Sequence, residues 1–206
     1  MLRKAFAAGL VIFSLVAFAA AQDTSRFDAS IAWGGVLGKS EHSSIGNVTV
    51  SPTSSPLLLG TFRVRFNHVH GVELNIAHTS DSQIFIISPD RYRVQASVVE
   101  YSAAYVFSPF QFHKIEPFLF AGGGALRFNP GNMYIDGFQS AFGAKQQTSM
   151  AFLYGGGIDY SVWRAIGLRL QYRGLIYKEP TFHLSQFFTG VNGHMPEASI
   201  GIVLKF

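Results

Sequence analysis

From residue 27 onward, apolar and polar residues alternate with a period of two in a series of short segments. The pattern is clearest in the last segment, 197–206, and next clearest in 166–173. A period of two is typical of a β-strand that has one apolar face. Six further segments show it less completely: 27–36, 61–67, 71–77, 97–107, 116–128 and 150–160. The pattern therefore predicts an all-β protein with eight strands.

The connections between these segments alternate strictly between long and short. The long ones are rich in Ser, Asn, Gly and Pro and cover 37–56, 78–93, 129–148 and 178–195. The short ones cover 68–70, 108–115 and 161–165. This alternation is typical of a transmembrane barrel that has long outer loops and tight turns on the other side. It predicts that both ends of the chain face the periplasm.

Composition favours a membrane environment over water. Charged residues make up 14% of the chain and aromatic residues 15%, and cysteine is absent, whereas a soluble domain carries about 25% charged residues. After the first 21 residues, no apolar run is long enough for a membrane-spanning helix. A chain without such a helix can cross a bilayer only as a closed barrel, because each backbone amide needs a hydrogen-bond partner. A soluble lipocalin-like barrel would have the same alternation with its faces exchanged.

The N-terminal segment predicts export from the cytoplasm. Arg3 and Lys4 precede an apolar run from Ala5 to Phe18, and small residues follow up to Ala21. This is the layout of a cleaved signal peptide. We therefore expect a signal peptide at 1–21 and a barrel domain at 22–206.

Aromatic residues support the membrane interpretation. They lie near the ends of the predicted strands, where amphipathic rings suit the two membrane interfaces: Trp33, Phe66, Phe107, Phe118, Phe128, Tyr160 and Tyr172, with Trp163 in a short turn. The first hairpin is expected to pair Arg65 with Glu73 across a three-residue turn. Closure of the barrel would bring Lys205 near Asp28.

Alternation also predicts a set of charged residues that face the interior of the barrel. An eight-stranded barrel is just wide enough for side chains to fill it, and an unpaired buried ion costs several kcal/mol. We therefore expect these side chains to form a salt-bridge network that closes the lumen: Asp28, Arg63, Arg65, Glu73, Glu100, Arg127, Asp159, Arg169, Arg173, Glu197 and Lys205. A narrow pore for small solutes is the alternative.

Several segments resemble the OmpA/OmpX-like superfamily of outer-membrane barrels. Residues 115–124 and 155–160 look like its fifth and sixth strands, and 166–173 like its seventh. The last strand resembles the insertion signal that outer-membrane proteins present to the barrel-assembly machinery, with Ile200, Ile202, Leu204 and Phe206 as the matching positions. The resemblance implies an eight-stranded barrel domain in the outer membrane, without a peptidoglycan-binding domain.

One constellation suggests an enzyme instead. His183, Ser185 and Glu197 resemble the His-x-Ser…Glu triad of the outer-membrane lipid A 3-O-deacylases. In such a triad, His activates the Ser hydroxyl, Glu orients the imidazole and Ser attacks an ester. Here His183 follows Pro180 in a predicted loop, and alternation points Glu197 inward. We therefore expect the three side chains to be scattered and lipid A deacylation to be absent.

The sequence thus predicts a monomeric, non-enzymatic outer-membrane protein that acts through its outer loops. Its expected partners are membrane lipid and lipopolysaccharide, and the assembly machinery during insertion. The Gly triplets at 122–124 and 155–157 continue apolar strands, and His68 and His70 fall in a turn. Neither feature has the pattern of a nucleotide or metal site. We expect no cofactor, no metal and no nucleic-acid partner.

Overall fold

The computed structural model describes residues 26–37, 41–42, 49–52, 54–87, 90–135, 137–140, 145–182 and 192–206. The predicted signal peptide, with His183 and Ser185, lies outside this part of the chain. Among the described residues, no helix is long and apolar enough to span a membrane. The strands are β1 (Phe27–Val36), β2 (Glu41–His42), β3 (Thr49–Pro52), β4 (Ser55–Arg65), β5 (His70–Ile87), β6 (Asp90–Phe107), β7 (Ile115–Ile135), β8 (Phe138–Ser140), β9 (Gln147–Ser161), β10 (Ile166–Lys178) and β11 (Asn192–Lys205).

Eight long strands form a closed antiparallel barrel, as predicted. Each pairs with the next in the order β1, β4, β5, β6, β7, β9, β10 and β11, and β11 pairs with β1 to close the ring. The seam is fully hydrogen-bonded at its end, because Phe27 and Phe206 exchange two backbone bonds of 2.9 Å. Lys205 lies directly opposite Asp28, as expected. The short strands β2, β3 and β8 extend the sheet at the end of the barrel that carries the long connections, which we call the long-hairpin end.

Alternation sorts the side chains between an apolar outer face and the interior. Trp33, Leu170 and Ile200 are 71%, 59% and 60% exposed on the outer face, whereas their neighbours Ala32, Arg169 and Ser199 are buried. The predicted outward positions of Phe66, Phe107, Tyr160 and Tyr172 are confirmed by their exposure. A continuous apolar outer face is the arrangement that a lipid bilayer requires.

The predicted face of β7 was wrong. Phe118 and Phe128 were expected to face lipid, but both rings are buried inside the barrel. Segment 118–126 is apolar or glycine at every position, so alternation there cannot distinguish the two faces. Glu116 and Arg127 are an odd number of residues apart, so only one of them can point inward. In the structure that residue is Glu116.

The strands extend well beyond the predicted ends at the long-hairpin end. Residues 78–93 were expected to form a loop, but β5 and β6 continue through most of this segment as a paired hairpin. Likewise β7 continues to Ile135, inside the predicted loop 129–148. Segments such as 79–83 carry polar residues at every position, so they pair through the backbone without any apolar–polar contrast to reveal the strand.

The first hairpin has a different register from the predicted one. Glu73 lies opposite Arg63, and Arg65 lies opposite Gly71. The reason is the turn, in which the Asn67 Oδ1 accepts the N–H groups of Val69 and His70 at 2.9 and 2.8 Å. Asn67 thus caps the turn instead of extending β4. The pairing is therefore shifted by two residues from the predicted register. Turns at 66–69, 108–114 and 162–165 define the opposite end of the barrel, which we call the short-turn end.

Candidate functional site

Charged side chains fill the interior near the short-turn end. We call this group the turn-end cluster, and it has four acids and four bases: Asp28, Arg63, Arg65, Glu73, Glu116, Asp159, Arg169 and Lys205. They come from β1, β4, β5, β7, β9, β10 and β11, so they converge only when the sheet closes. Their charges sum to zero.

Arg169 and Arg63 lie at the centre of the turn-end cluster, and both side chains are 1% exposed. The Arg169 guanidinium donates two bonds to Asp159, at 2.7 and 2.8 Å, and one to Asp28 at 3.3 Å. Arg63 donates to Glu73 at 2.9 Å and reaches Asp159 at 3.5 Å. Such paired arginine–carboxylate bonds are strong and hold both groups in a fixed geometry.

The Phe118 ring contacts both of these guanidinium groups. It lies 4.3 Å from the Arg63 Cζ and 5.1 Å from the Arg169 Cζ, measured to the ring centroid. These are cation–π distances. Gly157 makes room for the ring, because a Cβ there would lie 2.7 Å from the Phe118 Cζ. The second Gly triplet therefore belongs to the packing of the interior.

Glu116 joins the outer members of the turn-end cluster. It accepts a bond from Arg65, and its second carboxylate oxygen lies 3.3 Å from the Lys205 Nζ. Arg65 also donates to Asp28 at 3.1 Å. Sequence reasoning missed Glu116. The signal that could have found it is its pairing with Asp159 on β9, because residues that lie directly opposite each other on neighbouring strands point to the same face.

A smaller charged group lies further along the interior, and we call it the Arg173 cluster. It contains Arg173, Glu100 and Glu197, all nearly unexposed. The Arg173 guanidinium donates to both carboxylates, and the Ser102 Oγ donates to Glu100 at 2.6 Å. Among the described residues, the Arg173 Nη1, the Ser199 Oγ and both side-chain amide atoms of Gln171 have no hydrogen-bond partner.

Apolar side chains fill the interior beyond the Arg173 cluster. Phe128, Leu153, Leu175 and Phe182 are 0% exposed, and the Phe128 and Phe182 rings meet edge to face at 6.5 Å. Phe182 has a positive φ of 52°, which is uncommon for a bulky residue. Its N–H donates to the Gln147 Oε1 at 2.8 Å. The described interior therefore changes from charged to apolar along the barrel axis.

The charged residues that alternation assigned to the interior lie inside the barrel, except for Arg127. Arg127 lies exposed on the outer face, where it donates to the Gln146 Oε1 at 2.9 Å. The cause is the inverted face of β7. The remaining predicted charged residues all lie in the turn-end cluster or the Arg173 cluster.

The structure gives no support to a triad around Glu197. Its carboxylate accepts a bond from Arg173 inside the barrel, and His183 and Ser185 lie outside the described residues. Among the described residues, no three His, Asp or Glu side chains are arranged to hold a metal ion.

A closed antiparallel barrel with an apolar outer face and a charge-paired interior is a transmembrane β-barrel. The sequence matches the family model described as "Outer membrane protein beta-barrel domain" over residues 5–206, so the chain belongs to that family. No curated protein matches the sequence.

Solved structures share this fold at low sequence identity. OprG from Pseudomonas aeruginosa has a TM-score of 0.61 at 16% identity, covering 87% of this chain and 95% of its own. Neisserial surface protein A has a TM-score of 0.54 at 16% identity, covering 87% and 96%. The attachment invasion locus protein Ail of Yersinia pestis has a TM-score of 0.50 at 12% identity, covering 88% and 99%. The protein is thus a member of the outer-membrane β-barrel family that shares its fold with these three barrels.

Proposed function

We propose that this protein is a non-enzymatic structural component of the outer membrane whose interior is closed to solutes. The observation that carries the proposal is the chain of interior contacts. The turn-end cluster fills the interior at one end, and the packed apolar side chains around Phe128 fill it at the other. An eight-stranded barrel has little room beyond its own side chains.

Conductance across planar lipid bilayers tests the closed interior. The wild-type protein is expected to give no steady channel current. A variant that shortens only the central charged side chains, Arg63→Ser with Asp159→Ser and Arg169→Ser, should also stay closed, because the packed apolar side chains around Phe128 still fill the other end. Retention of the compact, heat-modifiable band on unheated gels would verify its folding. Steady single-channel currents from the wild type would favour the alternative of a narrow pore.

The proposed orientation puts both chain ends in the periplasm and the long hairpins outside the cell. It is supported by the short turns at 66–69, 108–114 and 162–165, because outer-membrane barrels place their short turns on the periplasmic side. In this orientation the hairpin of β5 and β6 extends from the cell surface and offers a surface for contacts. Protease treatment of intact cells should cut the long hairpins and spare the short turns.

Lipopolysaccharide is the proposed lipid partner. Arg127 and Lys178 are exposed on the outer face at the long-hairpin end, beyond the apolar band that includes Leu170. Cations at this height can attract anionic lipid head groups. We propose a monomer, since the apolar band surrounds the barrel and suits lipid contact on all sides. Co-purification of lipopolysaccharide should fall in an Arg127→Gln, Lys178→Gln double variant and not in Lys114→Gln, at the opposite end.

The last strand is proposed to be the insertion signal, with Ile200, Ile202, Leu204 and Phe206. Ile200 and Ile202 are exposed on the outer face, and Phe206 packs against Phe27 at 6.2 Å between ring centroids. Deleting Phe206 should lower the yield in the outer membrane strongly, while unfolding of the purified protein shifts by at most about 1.5–3 kcal/mol. Equal membrane yields for both proteins would contradict this role.

Lipid A deacylation remains the enzymatic alternative, and one experiment separates it from the proposal. Mass spectrometry of lipid A from cells with and without the protein should show the same acyl chains. Loss of an ester-linked chain with the wild type, but not with Ser185→Ala, would establish an esterase and overturn the non-enzymatic proposal.

A further inference from the structure

A cavity of about 390 Å³ opens at the short-turn end of the barrel. Among the described residues, four cationic side chains line it, namely Arg26, Arg65, Arg164 and Lys205, against the single carboxylate of Glu116. Ligand cavities have volumes of about 300–1,000 Å³, so a small molecule would fit. An excess of cations over carboxylates around such a space indicates an anionic occupant.

The floor and the rim of this cavity differ in charge balance. Arg65 and Lys205 form the floor and belong to the neutral turn-end cluster, where Glu116 holds both. Their side chains are still 15% and 11% exposed, so a molecule in the cavity could reach them. The rim residues Arg26 and Arg164 are exposed and form no ion pair with any described residue. Within the part of the chain that the structure describes, the rim therefore adds positive charge that no carboxylate pairs with.

Among the described residues, the turns around the cavity do not neutralise this charge. The three short turns, 66–69, 108–114 and 162–165, contain no Asp or Glu, whereas they contribute Lys114 and Arg164. Arginine presents a planar fork of N–H donors that matches the geometry of carboxylate and phosphate groups. The floor is held in place by ion pairs, so it need not be ordered when a ligand binds.

We propose that this cavity binds a small molecule that carries two or more anionic oxygens, as phosphate or carboxylate groups. Arg26 and Arg164 make the principal contacts, and Arg65 and Lys205 provide a fixed positive floor. The chemistry of the site does not depend on the orientation of the barrel. In the orientation proposed above, the ligand comes from the periplasm.

Tryptophan fluorescence offers a local signal for binding. Trp163 is adjacent to Arg164 and is 75% exposed, and a Trp33→Phe background would leave it as the only tryptophan. The folded, full-length barrel domain in neutral detergent would be titrated with inorganic pyrophosphate and, separately, with citrate at constant ionic strength. At least one probe should give a saturable change, and the stronger of the two identifies phosphate or carboxylate as the preferred group.

Two variants separate a built site from general attraction. Arg26→Gln with Arg164→Gln should weaken binding by at least about tenfold, because the charge-assisted hydrogen bonds of both arginines to the ligand are lost. Lys114→Gln removes a charge from the same end but does not line the cavity, so it should leave binding unchanged. Calorimetric titration of the wild type provides a readout independent of Trp163.

Three results would overturn the proposal: an equal loss in Lys114→Gln, a fluorescence change that follows ionic strength without saturating, or no calorimetric signal with either probe. Both rim arginines are exposed, so the double variant should fold, and the compact gel band would verify this. If the double variant fails to fold, Arg164→Gln alone should still weaken binding, and unchanged binding in that variant would also overturn the proposal.

Discussion

The two charged groups inside the barrel differ in how many cationic partners stabilise each buried carboxylate. In the turn-end cluster, Asp28 and Asp159 each contact more than one arginine, and Glu116 contacts Arg65 and Lys205. In the Arg173 cluster a single guanidinium serves two carboxylates. The first group is neutral and shares most of its contacts. The second carries an excess negative charge and depends on one residue.

This difference shows that the number of ion pairs alone does not measure how well buried charge is stabilised. A carboxylate that has two cationic partners keeps one of them when the other is lost. Glu100 and Glu197 lack this reserve, and the partnerless atoms of Gln171 and Ser199 lie nearby. We therefore expect the barrel to be most sensitive to substitution at Arg173.

Replacing Arg173 with Met should have the largest effect. Met has a similar length but no charge, so two buried carboxylates would lose their counter-ion. Breaking a buried pair in this way costs about 3–5 kcal/mol. Equilibrium unfolding by urea in lipid vesicles measures the loss, and a triple variant that adds Glu100→Gln and Glu197→Gln should recover most of it. Unfolding of Arg173→Met at the wild-type urea concentration would contradict the dependence on one residue.

An arginine on the other face of the same strand should have the next largest effect. Leu170 follows Arg169 in β10 and is exposed to lipid in the middle of the apolar band, where Leu170→Arg should cost about 2–4 kcal/mol. Met150 provides the control, since it lies at the long-hairpin edge of the band and Met150→Arg should cost about 0–1 kcal/mol. Equal costs for both variants would contradict the placement of Leu170 in the middle of the apolar band and of Met150 at its edge.

Glu116→Gln should have a smaller effect than Arg173→Met and thereby test the shared contacts. Arg65 would keep Asp28, and Lys205 would keep its 3.3 Å contact with the Ser161 Oγ. The expected loss is about 1–2 kcal/mol in the same unfolding measurement. A loss as large as that of Arg173→Met would mean that the turn-end cluster also depends on single contacts.

Arg127→Gln should have the smallest effect. Arg127 is exposed and contacts Gln146, so its loss should change the free energy of unfolding by less than about 0.5 kcal/mol. Arg63→Met is the matched interior substitution and should cost several times more. Similar values for the two would place Arg127 in the interior, as the sequence alone had suggested.

Sequence patterns predicted the barrel because each strand of a transmembrane barrel alternates between an apolar outer face and the interior. Segments 166–173 and 197–206 each have one apolar face, and the structure pairs them as neighbours. Alternation failed where both faces are alike, as in the apolar segment 118–126 and the polar segment 79–83. In the apolar segment, this ambiguity led to the prediction of Arg127 in the interior, where the structure places Glu116 instead.

The ion pairs between strands that are not neighbours could not be predicted. Arg173 meets Glu100, and Arg63 meets Asp159, across the interior from strands that are not neighbours. These contacts depend on the stagger of the closed sheet, which a period of two does not specify. Sequence reasoning could therefore name most of the interior charges without naming their partners.

Because β1 pairs with β11, every long strand of the barrel has a hydrogen-bonded neighbour on both sides, and the closed ring has no edge strand. Phe27 and Phe206 are hydrogen-bonded neighbours, so a short linker could join them while the chain is reopened within 183–191. Every ladder of the barrel would be kept in this circular permutant, so it should refold in detergent. Its terminal strand would no longer end in Phe206, so the same molecule should fail to insert in cells if the assembly machinery reads that residue. The contribution of the last strand to stability could thus be separated from its role in insertion, without changing an amino acid of the barrel.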